Sequence, residues 1–492
     1  MVSPRPDPSV NTVRTGSSRP HTLRQAWVAL TGLSAVFLFE MLDNSILNVA
    51  LPTIGRDLQA STASLQLVTS AYAVTFGGLM LALGALADRV GRRRIMLVGL
   101  VLLGAASLAT AAVTTAEQLI AVRAAMGVAA AMTTPGSLAL AFRLFDDDAL
   151  RVRAATLVST VGLAGLAVGP AAGGFALAFV PWQALLLVNV PVAALAFACI
   201  RGGVAPDNRA ELHRGPIDPA GALLGTAAIG LALVVPTLFL DADRRPAAWA
   251  TAAAAVAAAT GFLWRGYSAR HPLLDPHLML RPLVSSGLAF KAASGLATAG
   301  MGYLITLQMQ LDWGWTPGQA ALGMLPQVAV LIFGGALIGP IVRRFGLGKS
   351  AGFSAAAVVC GIGCYAALNR FGYPWVAGAM VLNALGMRVV GVVAGTNVMK
   401  GLPPERTTTG AALVDTVSEV ATAVGIGISG TVLAALFAGS ITAGNWSTGQ
   451  TADFRNAVTC AAAVLTVLAG ACAGWGISRL RRSRGSRLEG DT

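Results

Sequence analysis

Gly84-Ala85-Leu86-Ala87-Asp88-Arg89-Val90-Gly91-Arg92-Arg93-Arg94 joins two long apolar runs, and Gly339-Pro340-Ile341-Val342-Arg343-Arg344-Phe345-Gly346 joins two others. The offset from Gly91 to Gly346 is 255 residues, and applied to the whole chain it lays the first apolar run on the ninth, the fourth on the twelfth and the fifth on the thirteenth. Two related six-helix halves follow from this register, with runs seven and eight as an inserted pair. Glycines at these turns permit a sharp reversal. Asp88 among the arginines can form a charge latch that breaks when the halves move, and this makes Gly84, Asp88, Arg89, Gly91 and Arg92 candidate gating residues.

The composition around those turns belongs in a bilayer. Of 492 residues, 55% are hydrophobic and 12% charged, against about 25% charged in soluble domains; the mean hydropathy is +0.69. Windows of about 20 apolar residues give fourteen spans: 27–50, 66–87, 95–113, 118–142, 154–179, 183–200, 219–240, 247–264, 284–309, 320–342, 350–368, 376–398, 411–437 and 457–477. The expected fold is therefore an all-α membrane protein with 14 transmembrane helices. Its parts are an N-terminal tail (1–26), a six-helix half (27–200), a segment with the two inserted helices (201–282), a second six-helix half (283–478) and a basic tail (479–492).

The net charge of +13 would suggest nucleic acid in a soluble protein. Placed on the fourteen spans, 27 of the 35 basic residues fall in segments on one side, including Arg89 to Arg94, Arg143, Arg151, Arg153, Arg343 and Arg344. Because the bias of Lys and Arg sets orientation, both termini are expected in the cytoplasm, and the charge is topological. No nucleic-acid partner is expected. The five cysteines all lie in apolar runs, which implies no disulfide framework; Cys360 and Cys364 share a face but lack further metal ligands.

Ionisable groups inside a bilayer are costly, so those retained there are functional candidates. Seven occur: Glu40, Asp43, Arg123, Lys291, Arg388, Asp415 and Glu419. Glu40 with Asp43, and Asp415 with Glu419, share helix faces. Two carboxyls that close do not both ionise easily in a low dielectric, which suits a proton carrier. Arg123 is the candidate fixed counter-charge, while Lys291 and Arg388 are able to neutralise two of the acids as static ion pairs. All four histidines (His21, His213, His271, His277) lie outside the spans. In the fifth span, Gly162, Gly165, Gly169 and Gly173, with Pro170 and Gly174 beside them, form a smooth stripe suited to close helix approach, whether generic or functional. Gly348-Lys349-Ser350 lacks the glycine a phosphate-cradling loop needs upstream, since Arg343 stands there. Neither a metal-ligand cluster nor a nucleophile and base pair occurs in the spans, so no cofactor, metal or enzymatic activity is expected.

Together these elements resemble the major facilitator superfamily, and within it the fourteen-span drug:proton antiporters. Leu42-Asp43-Asn44-Ser45-Ile46-Leu47-Asn48-Val49-Ala50-Leu51-Pro52 is similar to the family's first-span motif, residues 84–94 to its loop signature, Arg123-Ala124-Ala125-Met126-Gly127 to its fourth-span motif, and Gly165 to Gly174 to its antiporter motif. Leu402-Pro403-Pro404-Glu405-Arg406 resembles its late loop, and Trp182 with Asn189-Val190-Pro191 its sixth span. The resemblance implies a multi-pass exporter of the inner (plasma) membrane, monomeric, exchanging protons for a small amphiphilic substrate such as an antibiotic. A dedicated exporter of one endogenous metabolite is the same-class alternative, and a membrane receptor or channel the different-class one. Arg343 stands where the second half would carry the equivalent of Asp88, and the tenth span has no carboxylate, which argues against divalent cations as substrates.

Overall fold

The computed structural model describes residues 20–207, 218–239, 245–270, 272, 275–402, 407–437 and 446–488, and among them there is no β-strand. The late-loop motif (residues 403–406), His213 and His271 lie outside the described residues. Seventeen α-helices are described: α1 (Trp27–Asp57), α2 (Thr62–Val90), α3 (Arg92–Ala109), α4 (Ala116–Arg143), α5 (Asp148–Ala176), α6 (Trp182–Leu187), α7 (Asn189–Gly203), α8 (Pro219–Phe239), α9 (Arg245–Ser268), α10 (Pro276–Met279), α11 (Pro282–Leu307), α12 (Pro317–Gly323), α13 (Leu325–Phe333), α14 (Gly335–Leu368), α15 (Tyr373–Gly401), α16 (Thr407–Leu436) and α17 (Thr448–Leu488).

Short polar connections start and stop these helices. Ser61 caps α2 by accepting from the Ser64 backbone N–H, and Asp147 caps α5 by accepting from Leu150. Thr115 with Gln118, and Thr316 with Gln319, form reciprocal capping boxes at α4 and α12. Gly91 (φ 119°) separates α2 from α3, and Gly346 (φ 72°) kinks α14 between its two segments. These two glycines stand at equivalent places in the sequence repeat, and both adopt the left-handed backbone that glycine accepts without strain.

Eleven described helices are long and apolar enough to cross a membrane, or twelve if the second, bent by 50° between Thr62–Met80 and Ala82–Val90, counts as one span. The expected seventh span appears as a shorter apolar helix, Pro219–Val235. The expected tenth is broken into α12, α13 and the first part of α14. Pro326 lies in the first turn of α13, where it cannot continue the preceding helix, and Gly334-Gly335 marks the second break. Large apolar side chains such as Trp249, Val256 and Trp264 on α9 are exposed, as expected of a lipid-facing helix.

The packing partners recur in the two parts of the chain. α1 lies against α5 and α7, as α11 lies against α16 and α17; α3 lies against α4 and α7, as α14 lies against α15 and α17. Between the parts, α2 packs on α16, and α5 on α12 and α13, while α8 pairs with α9 and leans on α2. Several cross-contacts fall toward one end. The Gln310 side-chain amide donates to the Val49 carbonyl at 2.9 Å, Thr431 donates to Gln66 at 3.4 Å, and Gly174 abuts Pro317 and Ala321. Gly84, toward the opposite end, has open space around it.

Candidate functional site

The first-span and fourth-span motifs meet in the core of the first part. Arg123 of α4 donates to Asp43 of α1 at 2.5 Å, with neither side chain accessible to solvent. Asn189, the first residue of α7, donates its amide to the other Asp43 oxygen at 3.0 Å. The guanidinium also lies 4.6 Å from the centre of the Tyr72 ring, a cation–π contact from α2. Gly127 explains how Tyr72 comes so near: a Cβ there would lie 2.5 Å from the Tyr72 carbonyl, so the glycine one turn after Arg123 lets α2 and α4 touch.

Both Asp43 oxygens are therefore occupied, while Arg123 keeps two nitrogens, Nε and one terminal nitrogen, without a partner. An arginine with spare donors, buried beside one carboxylate, is a charge held ready for a second acceptor. Glu40, one turn before Asp43 on α1, is also buried, and one of its carboxylate oxygens has no partner.

The other acid pair lies on α16. Asp415 is exposed and Glu419 is half-buried, its Cβ beside Gly77 of α2. Glu40 interacts electrostatically with both from across the helix bundle. The basic group facing this pair is Lys291 of α11. Arg388 points elsewhere, its guanidinium lying against Gly335 of α14.

The glycine stripe of α5 packs along the segment of α1 that carries the acids. Gly162 meets Phe37, Gly165 meets Leu38, Gly169 meets Ser45 and the Leu42 carbonyl, and Gly173 meets Ile46. Gly174 faces the other way, onto α12. The same helix thus touches the acid-bearing α1 on one face and α12 on the other, with Pro170 buried between these contacts.

At the 84–94 turn, Asp88 at the end of α2 pairs with Arg92 at the start of α3 at 2.5 Å, across the Gly91 break. The segment after α7 supplies a residue not anticipated from sequence: the Asp207 carboxylate accepts from the backbone N–H groups of Arg93 and Arg94 at the start of α3, beside Gly91, with Arg143 3.8 Å away. An acid at a helix N-terminus is favourable there, so Asp207 fixes the start of α3. Asp88→Ala removes only a partly exposed pair of the kind that contributes about 0.3–0.5 kcal/mol, so folding should be nearly unaffected. The expected result is slower exchange at unchanged substrate affinity. Substrate binding and counterflow on the same preparation check this, and a large affinity loss with normal exchange would contradict it.

Packed membrane-spanning helices with a buried ion pair at their core suit a transporter. The Major Facilitator Superfamily model matches residues 33–426, and the chain belongs to that family as a multi-pass protein of the cell membrane. It is similar to the multidrug efflux pump LfrA of Mycolicibacterium smegmatis, 29% identical over 430 residues covering 86% of this chain and 84% of that one. It is similar also to the cephamycin export protein CmcT of Amycolatopsis lactamdurans, 30% identical over 449 residues covering 86% and 89%. Among solved structures, the nucleoside transporter NupG shares the fold at a TM-score of 0.62 and 15% identity, covering 91% of this chain and 98% of that one. A peptide transporter of the POT family does so at 0.64 and 15%, covering 94% and 97%.

Asn189 and Tyr72 complete the Asp43–Arg123 cluster. Asn189 stands in the sixth-span motif, but nothing in the sequence gives it or Tyr72 a role beside Asp43 and Arg123. A polar but uncharged residue in a span is inexpensive enough to look ordinary; only its recurrence beside a buried charge marks it.

Proposed function

We propose that the chain is a proton-coupled exporter of small amphiphilic molecules, antibiotics among them, working by alternating access. In this reading it has fourteen spans and cytoplasmic termini, with halves at 27–200 and 283–478. The helices at 219–240 and 247–264 are inserted between the halves. The observation that carries the reading is the buried Asp43–Arg123 pair, held by Asn189 of α7, with Asp43 on α1, the helix that the α5 glycine stripe contacts. Protonation of Asp43 from outside removes the charge that Arg123 binds. The freed guanidinium then turns its donors to another acceptor, and α1 shifts along the smooth face of α5. Deprotonation toward the cytoplasm restores the pair and resets the pump.

The similarity to LfrA, an efflux pump, and CmcT, an export protein, supports export as the direction. A proton crossing 100 mV gains about 2.3 kcal/mol, with about 1.4 kcal/mol more per pH unit, enough to expel an amphiphile against roughly a hundredfold gradient. Asp415 and Glu419, with Glu40 opposite, give the cavity an acidic wall that favours positively charged substrates. The second reading, a dedicated exporter of one metabolite, draws on the similarity to a cephamycin exporter. Expression in a host deleted for its own pumps, tested over a panel of cationic and neutral antibiotics, separates the two. Protection against several unrelated compounds supports the multidrug reading, protection against one supports the dedicated reading, and protection against none argues against both.

A further inference from the structure

The α16 acid pair faces a lysine that the proposed proton cycle does not use. Gly295 of α11 packs on α16, its Cβ position 2.9 Å from both Ala421 and the Ser418 carbonyl. Lys291 lies one turn before Gly295 and Asp415 just before Ser418, so the close packing brings the lysine alongside the acids. The attraction reaches both Asp415 and Glu419. Even so, among the described residues no contact ion pair joins Lys291 to either acid, and Lys291 is itself only half-buried. Across from them, Glu40 is 4% exposed with one oxygen unpartnered. Three carboxylates and one flexible ammonium therefore influence one another across α1, α11 and α16 without a contact ion pair between Lys291 and the α16 acids.

We propose that Lys291 determines specificity by acting as a tethered cation, which offsets the field of the Asp415–Glu419 pair from a distance when no substrate is bound and whose field a positively charged substrate must overcome. Its four-carbon stem lets the ammonium withdraw, as an arginine fork engaged with carboxylates does not. An organic cation gains the field of the acids and opposes that of Lys291, whereas a neutral amphiphile meets neither strongly. The inference deepens the exporter reading by naming organic cations as the class of substrate this wall selects.

Binding to purified, detergent-solubilised protein tests it without any gradient, using tetraphenylphosphonium as the cationic probe and chloramphenicol as the neutral one. Replacing Lys291 with methionine removes a unit charge that offsets the α16 acids and is expected to tighten tetraphenylphosphonium binding by about tenfold, with chloramphenicol unchanged. Adding Asp415→Asn to that variant is expected to cancel the gain. Lys291→Arg, which preserves the charge should the methionine variant misfold, is expected to weaken tetraphenylphosphonium binding about threefold because the fork stays locked on the acids. Unchanged cation affinity in both single variants overturns the proposal. So do equal gains for both probes, which would mean only added room, or no tetraphenylphosphonium binding in wild type and variants alike. Charge-selective binding by a protein that moves neither probe across a membrane would leave Lys291 in its role and refute the pump.

Discussion

Asp43→Asn is expected to abolish gradient-driven transport while the chain still inserts in the membrane. Insertion depends on the apolar spans, which the substitution leaves intact. The asparagine keeps the size of the side chain and an oxygen for the Asn189 amide, so the local hydrogen-bond geometry survives in part. What disappears is the charge opposite Arg123, whose guanidinium then has the Tyr72 ring and Met126 sulfur as neighbours but no bonded carboxylate. Removing one partner of a buried pair costs about 3–5 kcal/mol, so the variant should also melt at lower temperature in detergent. Asp43→Asn with Arg123→Gln separates the two effects: stability should recover and proton-driven transport should not. Transport restored in the double variant would make the pair structural rather than coupling.

Gly169→Leu should be nearly as severe, for a steric reason. Even a single Cβ at this position collides with the Ser45 hydroxyl and lies 3.4 Å from the Leu42 carbonyl. A leucine must therefore push α5 from the stretch of α1 that carries Asp43. Overpacking of this kind costs about 1–3 kcal/mol in a folded core, and the larger loss is expected in turnover, because the two helices must slide while in contact. Transport is expected to fall to background although the protein is still made. Gly169→Ala should retain partial activity, and Ser45→Ala should improve it by removing the colliding oxygen, whereas no change at Ser45 should rescue the leucine. Wild-type turnover in Gly169→Leu would reduce the stripe to ordinary packing, as would failure of Ser45→Ala to help the alanine variant.

The parts of this protein legible in its sequence are those that a bilayer makes expensive. Asp43 and Arg123 stand out because charges inside apolar runs are rarely retained without cause, and the structure brings them together from positions 80 residues apart. The Gly91 and Gly346 turns were legible as a repeat, and both have the left-handed backbone that makes glycine the fitting residue. The break in the tenth span was not read, although Pro326 and the Gly334-Gly335 pair were present, because a hydropathy window averages composition and does not register where the backbone fails to continue. Which basic residue faces Asp415 and Glu419 was also beyond reach. Periodicity tells which residues of one helix share a face, but not how that helix is rotated against its neighbour, so Lys291 and Arg388 looked equivalent until the packing of Gly295 and Gly335 distinguished them. Asp207 resembled any acid in a polar connection; only its approach to the start of α3 gives it a role.

The central claim is that substrate and protons cross in opposite directions through one conformational cycle set by the Asp43–Arg123 pair. Its most direct test is proton movement in proteoliposomes carrying a trapped pH-sensitive dye, recorded as substrate is added on one side in the absence of any imposed gradient. The account predicts that substrate moving inward drives protons outward through the wild-type protein, and that Asp43→Asn shows no such signal while still binding substrate. Substrate flux without proton movement, or an undiminished proton signal from Asp43→Asn, would contradict it.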